Sequence, residues 1–388
     1  MVTQTQMTPA ERVAATLAGE RPDRVPVFPK IWFDLAGVLT DTPLKVVMSD
    51  TELALRTMID ASIAVGSDAV RAMFLPSRIV EGEGDELYEV DKSGRRVGSV
   101  DYYGGLKTQL DREEDLRIEN AQDMIYFNYR TQETPRVESV ADVQRIAVPD
   151  QTLYEQLGYG DILRRMIRHA GDQTVLVGDT LGATLSFYIY FRGLEQGLMD
   201  LIYSPDLVHA VMEKGEQYAI ERGKLNIDAG LKFLRINDST ASISVISPAH
   251  WKEFIFPHLK VVCDELHRYC PEMQIYPHIC GNELPILEML LEAGIDIIAP
   301  LDPLGGYTVA DARVKVGDEV ILMGGVDTQS FVNCTAEQVR DEALRCIEEG
   351  AVDGRNYFLG SGCAIPRTAK RENLDALVDA SKLAAGGQ

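Results

Sequence analysis

The stretch "MQIYPHICGNELPILEMLLEAGIDIIAP", residues 273–300, contains one complete strand-helix-strand unit. Its first part, 273–279, is short and mostly apolar, as expected for a buried strand, and so is its last part, 295–299. The segment between them is longer and has the spacing of apolar residues that a helix requires. Because a helix that connects two strands usually leaves them parallel, this stretch predicts one unit of a parallel α/β sheet.

The same alternation recurs along the chain. Apolar segments predict eight strands, at 25–28, 68–74, 174–178, 231–236, 273–279, 295–299, 320–325 and 356–360. Helical segments follow, and the one at 335–350 begins with Thr335 and Gln338 at the spacing of a capping box. Eight such units predict a single (β/α)8 TIM barrel of the α/β class, in which residues 1–388 form one domain. A doubly wound open sheet is the alternative.

One region interrupts this alternation. Residues 84–111 alternate polar and apolar side chains on both sides of "DKSGR" (91–95), which predicts a β-hairpin inserted after the second strand. The segment that follows, 118–137, is aromatic and polar without a clear period. We interpret it as a packed excursion over the barrel, with a lid over a substrate pocket as the alternative.

The composition excludes several classes of function. The chain has 388 residues, of which 45% are hydrophobic, and a formal net charge of −22. Such an acidic protein is a poor partner for nucleic acids or an anionic membrane surface. The sequence contains no apolar run of about 18 residues, and its first 20 residues lack the apolar middle and cleavage site expected of a signal peptide. Its six cysteines are too sparse for a disulfide scaffold, so we expect a reduced, cytoplasmic protein.

A histidine and two cysteines form the main candidate site. His278 and Cys280 share one face at the end of the fifth predicted strand, and Cys363 follows the eighth. In a parallel barrel all three would lie at the C-terminal ends of the strands, where catalytic groups are found. Two thiolates and one imidazole with an open fourth position form a soft tetrahedral site that suits zinc. An apolar cysteine pair beside a hydrogen-bonded histidine remains the alternative at this point.

Several segments resemble the uroporphyrinogen decarboxylase superfamily, and together they cover nearly the whole chain. They are "MTPAERVAATLAGERPDRVPVFP" near the start, "LGATLSFYIYFRGLEQGLMDLIYSPDLVHAVMEK" and "ISPAHWKEFIFPHLKVV" in the middle, and "SGCAIPRTAKRENLDALVDA" near the end. The resemblance implies a TIM barrel preceded by an N-terminal helical extension. True decarboxylases of this superfamily have an Arg-Gln-Ala-Gly-Arg motif after the first strand. Here the corresponding place is "PKIWFDLAG" (29–37), which offers Lys30 and Asp34 but no arginine.

The His-x-Cys pattern with a distant cysteine resembles the zinc-dependent, corrinoid-linked methyltransferases of the superfamily, including the methylcobalamin:coenzyme M methyltransferases. "NDSTAS" (237–242) is similar to a segment of the same branch. The resemblance implies that His278, Cys280 and Cys363 are zinc ligands. It also implies methyl transfer between a corrinoid, such as methylcobalamin on a separate small corrinoid protein, and a small substrate. We favour a thiol as the methyl acceptor, because a soft site stabilises a bound thiolate.

Three other functions remain open. The first is a methyltransferase of the O-demethylase type, which takes a methyl group from a methoxy-aromatic or methylamine donor. The aromatic residues that could then form the pocket wall are Trp32, Phe33, Tyr102, Tyr103, Tyr126 and Tyr129. The second is a lyase of the uroporphyrinogen decarboxylase type, which the missing arginine motif disfavours. The third is a non-catalytic barrel with a structural zinc, although structural zinc normally has four protein ligands.

Further site residues are predicted from their places after the strands. Asp238 and Glu283 are candidate catalytic residues that could complete the metal site or orient the substrate. The candidate substrate-binding residues are Trp32, Tyr102, Asp302 and Asp327, and Arg71 and Asp179 are similar candidates at the same rim. The predicted partners are a small corrinoid protein and a small-molecule methyl donor or acceptor. A homodimer is compatible with the sequence.

Overall fold

The structure, a computed structural model, describes residues 6–47, 50–72, 118–125 and 136–386, together with four short strands between 79 and 108. Among these residues no helix is both long enough and apolar enough to span a membrane. The α-helices are Pro9–Leu17, Phe33–Leu39, Leu44–Val47, Thr51–Val65, Ala121–Met124, Val140–Val143, Gln151–Gln156, Tyr159–Ala170, Leu185–Arg192, Leu194–Tyr203, Pro205–Asp228, Pro248–His250, Phe256–Tyr269, Leu287–Glu292, Val309–Val316, Ser330–Asn333, Ala336–Gly350 and Arg371–Gly386. A π-helix covers Trp251–Ile255, and short 3₁₀ helices cover Leu284–Ile286 and Pro303–Gly305.

The parallel strands form two sheets. In chain order the strands are β1 (Ala69–Arg71), β2 (Ile79–Glu81), β3 (Leu87–Val90), β4 (Arg96–Val100), β5 (Leu106–Thr108), β6 (Val175–Asp179), β7 (Phe233–Asn237), β8 (Gln274–His278), β9 (Ile297–Leu301), β10 (Ile321–Val326) and β11 (Tyr357–Ser361). One parallel sheet has the order β1-β6-β7-β8 and the other β11-β10-β9. Helices follow the strands, so the α/β class is confirmed. Closure of both sheets into one eight-stranded barrel stays a prediction.

Hydrogen bonds join the two sheets where their outer strands meet. Asp296, which precedes β9, bonds to Ile275 of β8. The Asp296 amide donates to the Ile275 carbonyl at 2.9 Å, and the Ile275 amide donates to the Asp296 carboxylate at 2.8 Å. On the other side, the segment 25–30 lies between β11 and β1. It bonds to Leu359 on β11, and its Val27 carbonyl accepts from the amide of Asp68, which precedes β1, at 2.8 Å.

The segment 25–28 differs from the sequence prediction. The sequence predicts the first strand here, but the structure has only isolated parallel bridges, one from Val27 to Leu359 and one from Lys30, just after the segment, to Ala364. Pro26 and Pro29 explain the difference, because proline has no backbone N–H to donate to a strand ladder. The segment lies between β11 and β1, where a strand would lie, but it lacks the regular hydrogen-bond pairing of a strand.

The insertion after β1 is larger than the single hairpin expected over 84–111. Strands β2, β3, β4 and β5 form a separate antiparallel sheet in that order. The pairing of β3 with β4 includes the partners Leu87 and Val100, on either side of the predicted turn. The turn "DKSGR" itself lies outside the described residues.

The inner faces of the parallel strands meet in one apolar cluster. Each parallel strand contributes at least one buried residue to it, and Phe28 and Val13 complete it. The rings of Phe28, Phe233 and Tyr276 touch edge to face or at a tilt, with centroids 5.3–6.4 Å apart. Parallel strands buried on both faces are typical of barrels and doubly wound sheets. This cluster forms the floor beneath the strand ends that carry the candidate site.

A buried carboxylate fixes the N-terminal helix to the sheets. Asp68, at 0% exposure, accepts hydrogen bonds from Arg12 at 2.5 Å and from Arg24 at 2.8 and 3.0 Å. It also accepts from the Val27 amide at 2.7 Å. Asp23 binds the other side of the Arg12 guanidinium at 2.6 Å. The helix Pro9–Leu17 is therefore joined by charge-assisted hydrogen bonds to the start of β1.

We expect Asp68→Asn to lower the free energy of unfolding by about 3–5 kcal/mol, because it leaves two partly buried guanidinium groups without their shared anion. The measurement is urea unfolding followed by circular dichroism. Asp375→Asn is the control, since Asp375 pairs with Arg371 at the surface, where both side chains are 48% exposed. That change should cost less than about 1 kcal/mol. Equal effects of the two substitutions would contradict the role given to Asp68.

Candidate metal centre

Three ligand-type side chains converge at the C-terminal ends of the parallel strands. The Cys280 sulfur lies 3.3 Å from His278 Nε2 and 3.2 Å from the Cys363 sulfur, and the Cys363 sulfur lies 3.9 Å from the same nitrogen. All three ligand atoms lie within 4.8 Å of one another. His278 is completely buried, whereas both cysteines are partly exposed. The cluster thus has a buried side and a side that faces outward.

Strand β8 and the turn after it position His278 and Cys280. His278 is the last residue of β8 and is paired in register with Asn237 of β7. Gly281 then adopts φ 85°, a left-handed conformation that favours glycine. A β-carbon added there would lie 2.8 Å from the Ser244 hydroxyl. The glycine lets the chain turn sharply just after Cys280.

The loop after β11 positions Cys363. Ser361, the last residue of β11, donates its hydroxyl to the Cys363 carbonyl at 2.6 Å. The Gly362 amide donates to the carbonyl of Val326 on the neighbouring strand at 2.8 Å. Cys363 therefore comes from one sheet, and His278 and Cys280 come from the other.

A lysine reaches into the same cluster. The Lys30 ammonium lies 2.5 Å from His278 Nε2 and 3.9 Å from the Cys363 sulfur, and the side chain is only 3% exposed. The sequence prediction gave Lys30 no role. Its signal was a single charged residue within "VPVFPKIWF" (25–33), an otherwise apolar segment next to a predicted strand.

The electrostatics of the cluster favour one thiolate. The pKa of the Cys363 thiol is lowered, first by the hydrogen bond from Cys280 and then by the positive charge of Lys30. The pKa of Cys280 is raised well above its ordinary value, because its proton is held in that hydrogen bond. Burial lowers the pKa of Lys30 to about 8. Burial and the positive charge of Lys30 both lower the pKa of His278. A neutral imidazole and a ready thiolate are the forms in which these side chains bind metals.

The donor set fits zinc. Tetrahedral zinc, with bonds of about 2.0–2.3 Å to nitrogen and sulfur, separates its ligand atoms by roughly 3.5–3.8 Å. The observed separations of 3.2–3.9 Å bracket that range. Within the described part of the chain no fourth histidine, cysteine or carboxylate joins the cluster. Three protein ligands leave one position for a substrate, as in catalytic zinc sites.

The two candidate catalytic carboxylates make other contacts. Asp238 follows β7 and is buried, and its carboxylate accepts from the amides of Thr184 at 2.9 Å and Ser186 at 2.8 Å, and from the Thr184 hydroxyl. Glu283 is also buried and accepts from the Tyr307 hydroxyl at 3.0 Å. Burial raises the pKa of both carboxyl groups, that of Glu283 strongly. Their catalytic roles stay predictions, and the contacts of Asp238 are those of a loop anchor.

The candidate substrate-binding residues lie at different distances from the cluster. Asp302 follows β9 and accepts from the amide of Gly281, next to Cys280, at 2.9 Å. The Trp32 ring centroid lies 5.2 Å from the Lys30 ammonium, so Trp32 borders the cluster. Asp327 follows β10 and accepts from the Gln329 amide at 2.9 Å. Tyr102 lies outside the described residues, as do Tyr103, Tyr126 and Tyr129.

Arginines lie below the cluster, on the inner faces of the strands. Arg71 ends β1, donates to the Tyr276 hydroxyl at 3.0 Å and stacks 4.4 Å from the Phe28 ring centroid. Arg235 of β7 pairs with Asp179 of β6 at 3.1 Å, and both are completely buried. Arg71 and Asp179, which the sequence suggested as rim residues, are thus part of a polar layer beneath the metal ligands.

A comparison with protein families supports the resemblance seen in the sequence. The uroporphyrinogen decarboxylase (URO-D) family model matches residues 123–383, which is more than half of the chain. The chain belongs to the URO-D family. The resemblance to this superfamily is therefore confirmed. The individual relatives differ in activity.

One relative is a methylated-thiol–coenzyme M methyltransferase of Methanosarcina mazei, 28% identical over 179 residues, or 46% of this chain and 45% of that protein. The chain thus spans less than half of that relative. Another is a uroporphyrinogen decarboxylase of Chloroherpeton thalassium, 28% identical over 64% of this chain and 70% of that protein. Among solved structures, a methyltransferase from Methanosarcina mazei matches with a TM-score of 0.71 and 20% identity, over 97% of this chain and 99% of its own. This structural likeness shows a shared fold.

We expect the purified protein to contain about one zinc ion per chain, and Cys363→Ala to lose it. The fold should persist, because Cys363 lies in a loop outside the apolar clusters. Elemental analysis gives the zinc content, and circular dichroism gives the fold. Cys346→Ala is the matched control, since Cys346 is a buried cysteine on the helix Ala336–Gly350. Absence of metal from carefully purified wild type would refute the site.

We also expect Asp302→Ala to weaken zinc binding by about tenfold or more, because Asp302 holds the turn that carries Cys280. Competition with a chromophoric chelator measures the affinity. Asp327→Ala is the control. Asp327 holds the corresponding position after the next strand, but its carboxylate accepts from the Gln329 amide rather than from the Cys280 turn. If both variants bind zinc as tightly as wild type, Asp302 does not support the metal site.

Proposed function

We propose that the protein is a zinc-dependent methyltransferase that moves a methyl group between a corrinoid and a small substrate, with a thiol as the favoured acceptor. The observation that carries the proposal is the cluster of His278, Cys280 and Cys363, whose ligand atoms lie within 4.8 Å. A soft donor set with one open position is suited to a sulfur substrate. The methylated-thiol methyltransferase among the relatives supports the same chemistry.

The residues would contribute as follows. His278, Cys280 and Cys363 would hold the zinc ion, which supplies a Lewis acid that stabilises a substrate thiolate at neutral pH. Two thiolate ligands would cancel the formal charge of the ion, so that a thiolate substrate keeps its nucleophilicity. The Asp302 carboxylate would hold the Cys280 turn, and Trp32 would provide an apolar wall near the open position. The buried side of the cluster would exclude water during the transfer.

The proposal includes several finer points. We infer that the two parallel sheets close into a (β/α)8 barrel with the zinc site at its mouth, in a protein of the reducing cytoplasm. The corrinoid would be carried by a small corrinoid protein that docks over this mouth. A homodimer would leave the mouth accessible if its contacts lie elsewhere.

Removal of a methyl group from a donor is the second candidate. It is favoured by the position of Trp32, an aromatic surface beside the cluster that could contact a methoxy-aromatic ring. A decarboxylase activity has a weaker basis. The chain belongs to the family that includes such enzymes, but Lys30 and Asp34 stand where their paired arginines would be expected.

The test is a spectroscopic assay with free cobalamin under anaerobic conditions. With methylcobalamin and 2-mercaptoethanol, the zinc-loaded protein should yield cob(I)alamin and the thioether 2-(methylthio)ethanol. Cys363→Ala should be inactive and Cys346→Ala active. The second candidate, removal of a methyl group from a donor, would be favoured if methylcobalamin forms from a methoxy-aromatic compound and cob(I)alamin while the thiol does not demethylate methylcobalamin. Carbon dioxide release from uroporphyrinogen, without methyl transfer, would overturn the methyltransferase assignment.

A further inference from the structure

Lys30 is the most unusual group near the metal ligands. Its ammonium is buried and touches His278 Nε2 at 2.5 Å. Among the described residues it has no carboxylate partner within ion-pair distance, and Arg71 and Arg235 lie close enough to repel it. A buried ammonium without an anion costs several kcal/mol. Lys30 instead faces the sulfur of Cys363, which lies 3.9 Å away and can carry a negative charge.

The backbone around Lys30 holds it in this place. Its amide donates to the Ser361 hydroxyl at 3.0 Å, and its carbonyl accepts from the Ile365 amide at 3.1 Å. Their partners lie on either side of Cys363 in the sequence, so the backbone of Lys30 is fixed to the loop that carries Cys363. The Trp32 ring lies 5.2 Å from the ammonium and limits its freedom further. The lysine is thus built into the site.

Lys30 and a metal ion would compete for the same electron pair. The imidazole offers one lone pair at Nε2, and a bound metal would take it. The charge of the Cys363 thiolate would then be shared with the metal. The ammonium would need another negatively charged or strongly accepting atom, and it can reach only the immediate surroundings of the cluster. A substrate heteroatom at the open metal position is such an atom.

We propose that Lys30 donates a hydrogen bond to the substrate heteroatom bound at the metal centre. This assignment rests on the metal centre and thiol substrate of the proposed function, and only its effect on the reaction depends on methyl transfer. Lys30 would stabilise the heteroatom when it carries negative charge, as a thiolate does before methylation or after demethylation. In demethylation the carbon–sulfur bond breaks and its electron pair stays on sulfur, while the electron pair of cob(I)alamin forms the new carbon–cobalt bond. Lys30 therefore favours departure of the thiolate and restrains its attack.

The experiment measures thiol binding independently of methyl transfer. Cobalt(II) replaces zinc, and its visible spectrum reports ligands at the open position. Lys30→Met should bind 2-mercaptoethanol about 10- to 100-fold more weakly than wild type, as expected for loss of one charge-assisted hydrogen bond. Lys30→Arg should retain part of the affinity. The neutral sulfur of 2-(methylthio)ethanol should lose less than about threefold in affinity, because it carries no charge for Lys30 to stabilise.

The control and the kinetics separate this role from a structural one. Lys260→Met removes an exposed lysine that pairs with Asp264, and it should leave thiol binding unchanged. In methylation of the thiol, Lys30→Met should raise KM without lowering kcat, whereas a general loss of structure would lower kcat. If Lys30→Met does not fold, Lys30→Gln, which is uncharged but polar, carries the same expectation.

The outcomes distinguish this assignment from the proposed function. If wild type transfers no methyl group but its thiol affinity depends on Lys30, the methyltransferase proposal fails and the Lys30 assignment stands. If wild type transfers methyl groups but Lys30→Met binds the thiol as tightly as wild type, the Lys30 assignment is overturned. If Lys30→Met weakens the binding of the thiol and of the thioether by the same factor, the assignment is also overturned, because such a change would reflect a damaged pocket.

Discussion

The pairing of the segment 26–30 with the last parallel strand is the contact on which the site depends. The Phe28 amide donates to the Leu359 carbonyl at 2.7 Å, and the Leu359 amide donates to the Pro26 carbonyl at 2.9 Å. This pairing brings Lys30 beside Cys363, although 333 positions separate them in the sequence. It also places a proline-containing segment between β11 and β1, where a regular strand was expected. Without this pairing the cluster would lose its lysine, and the loop of Cys363 would lose the two hydrogen bonds that Ser361 and Ile365 make with the backbone of Lys30.

Much of this arrangement could be predicted from the sequence because it follows from periodicity. Apolar segments of strand length alternate with helical ones, and the structure has parallel strands at all the predicted places after the first. The capping box at Thr335 and Gln338 is present, with the Thr335 side chain accepting from the Gln338 amide. His278, Cys280 and Cys363 could be brought together on paper because parallel strands end on the same side.

What the sequence could not supply depends on tertiary contacts. The direction of the Lys30 side chain follows from bonds of its backbone to residues near Cys363. The Asp238 carboxylate is occupied by the Thr184 loop, which no local pattern reveals. The π-helix Trp251–Ile255 is a third example. It precedes Pro257, whose missing N–H removes one bond of a regular helix, but proline alone does not specify how the helix adapts.

The cluster joins two sheets that have separate strand ladders, since His278 and Cys280 come from one and Cys363 from the other. A metal bound there would act as a cross-link between distant parts of the chain, since the two cysteines are 83 positions apart. Ligands that bind only the folded state add to its stability in proportion to the logarithm of their concentration. The supply of zinc would then govern how firmly the two sheets hold together. Metal starvation would thus affect the lifetime of the protein as well as its chemistry.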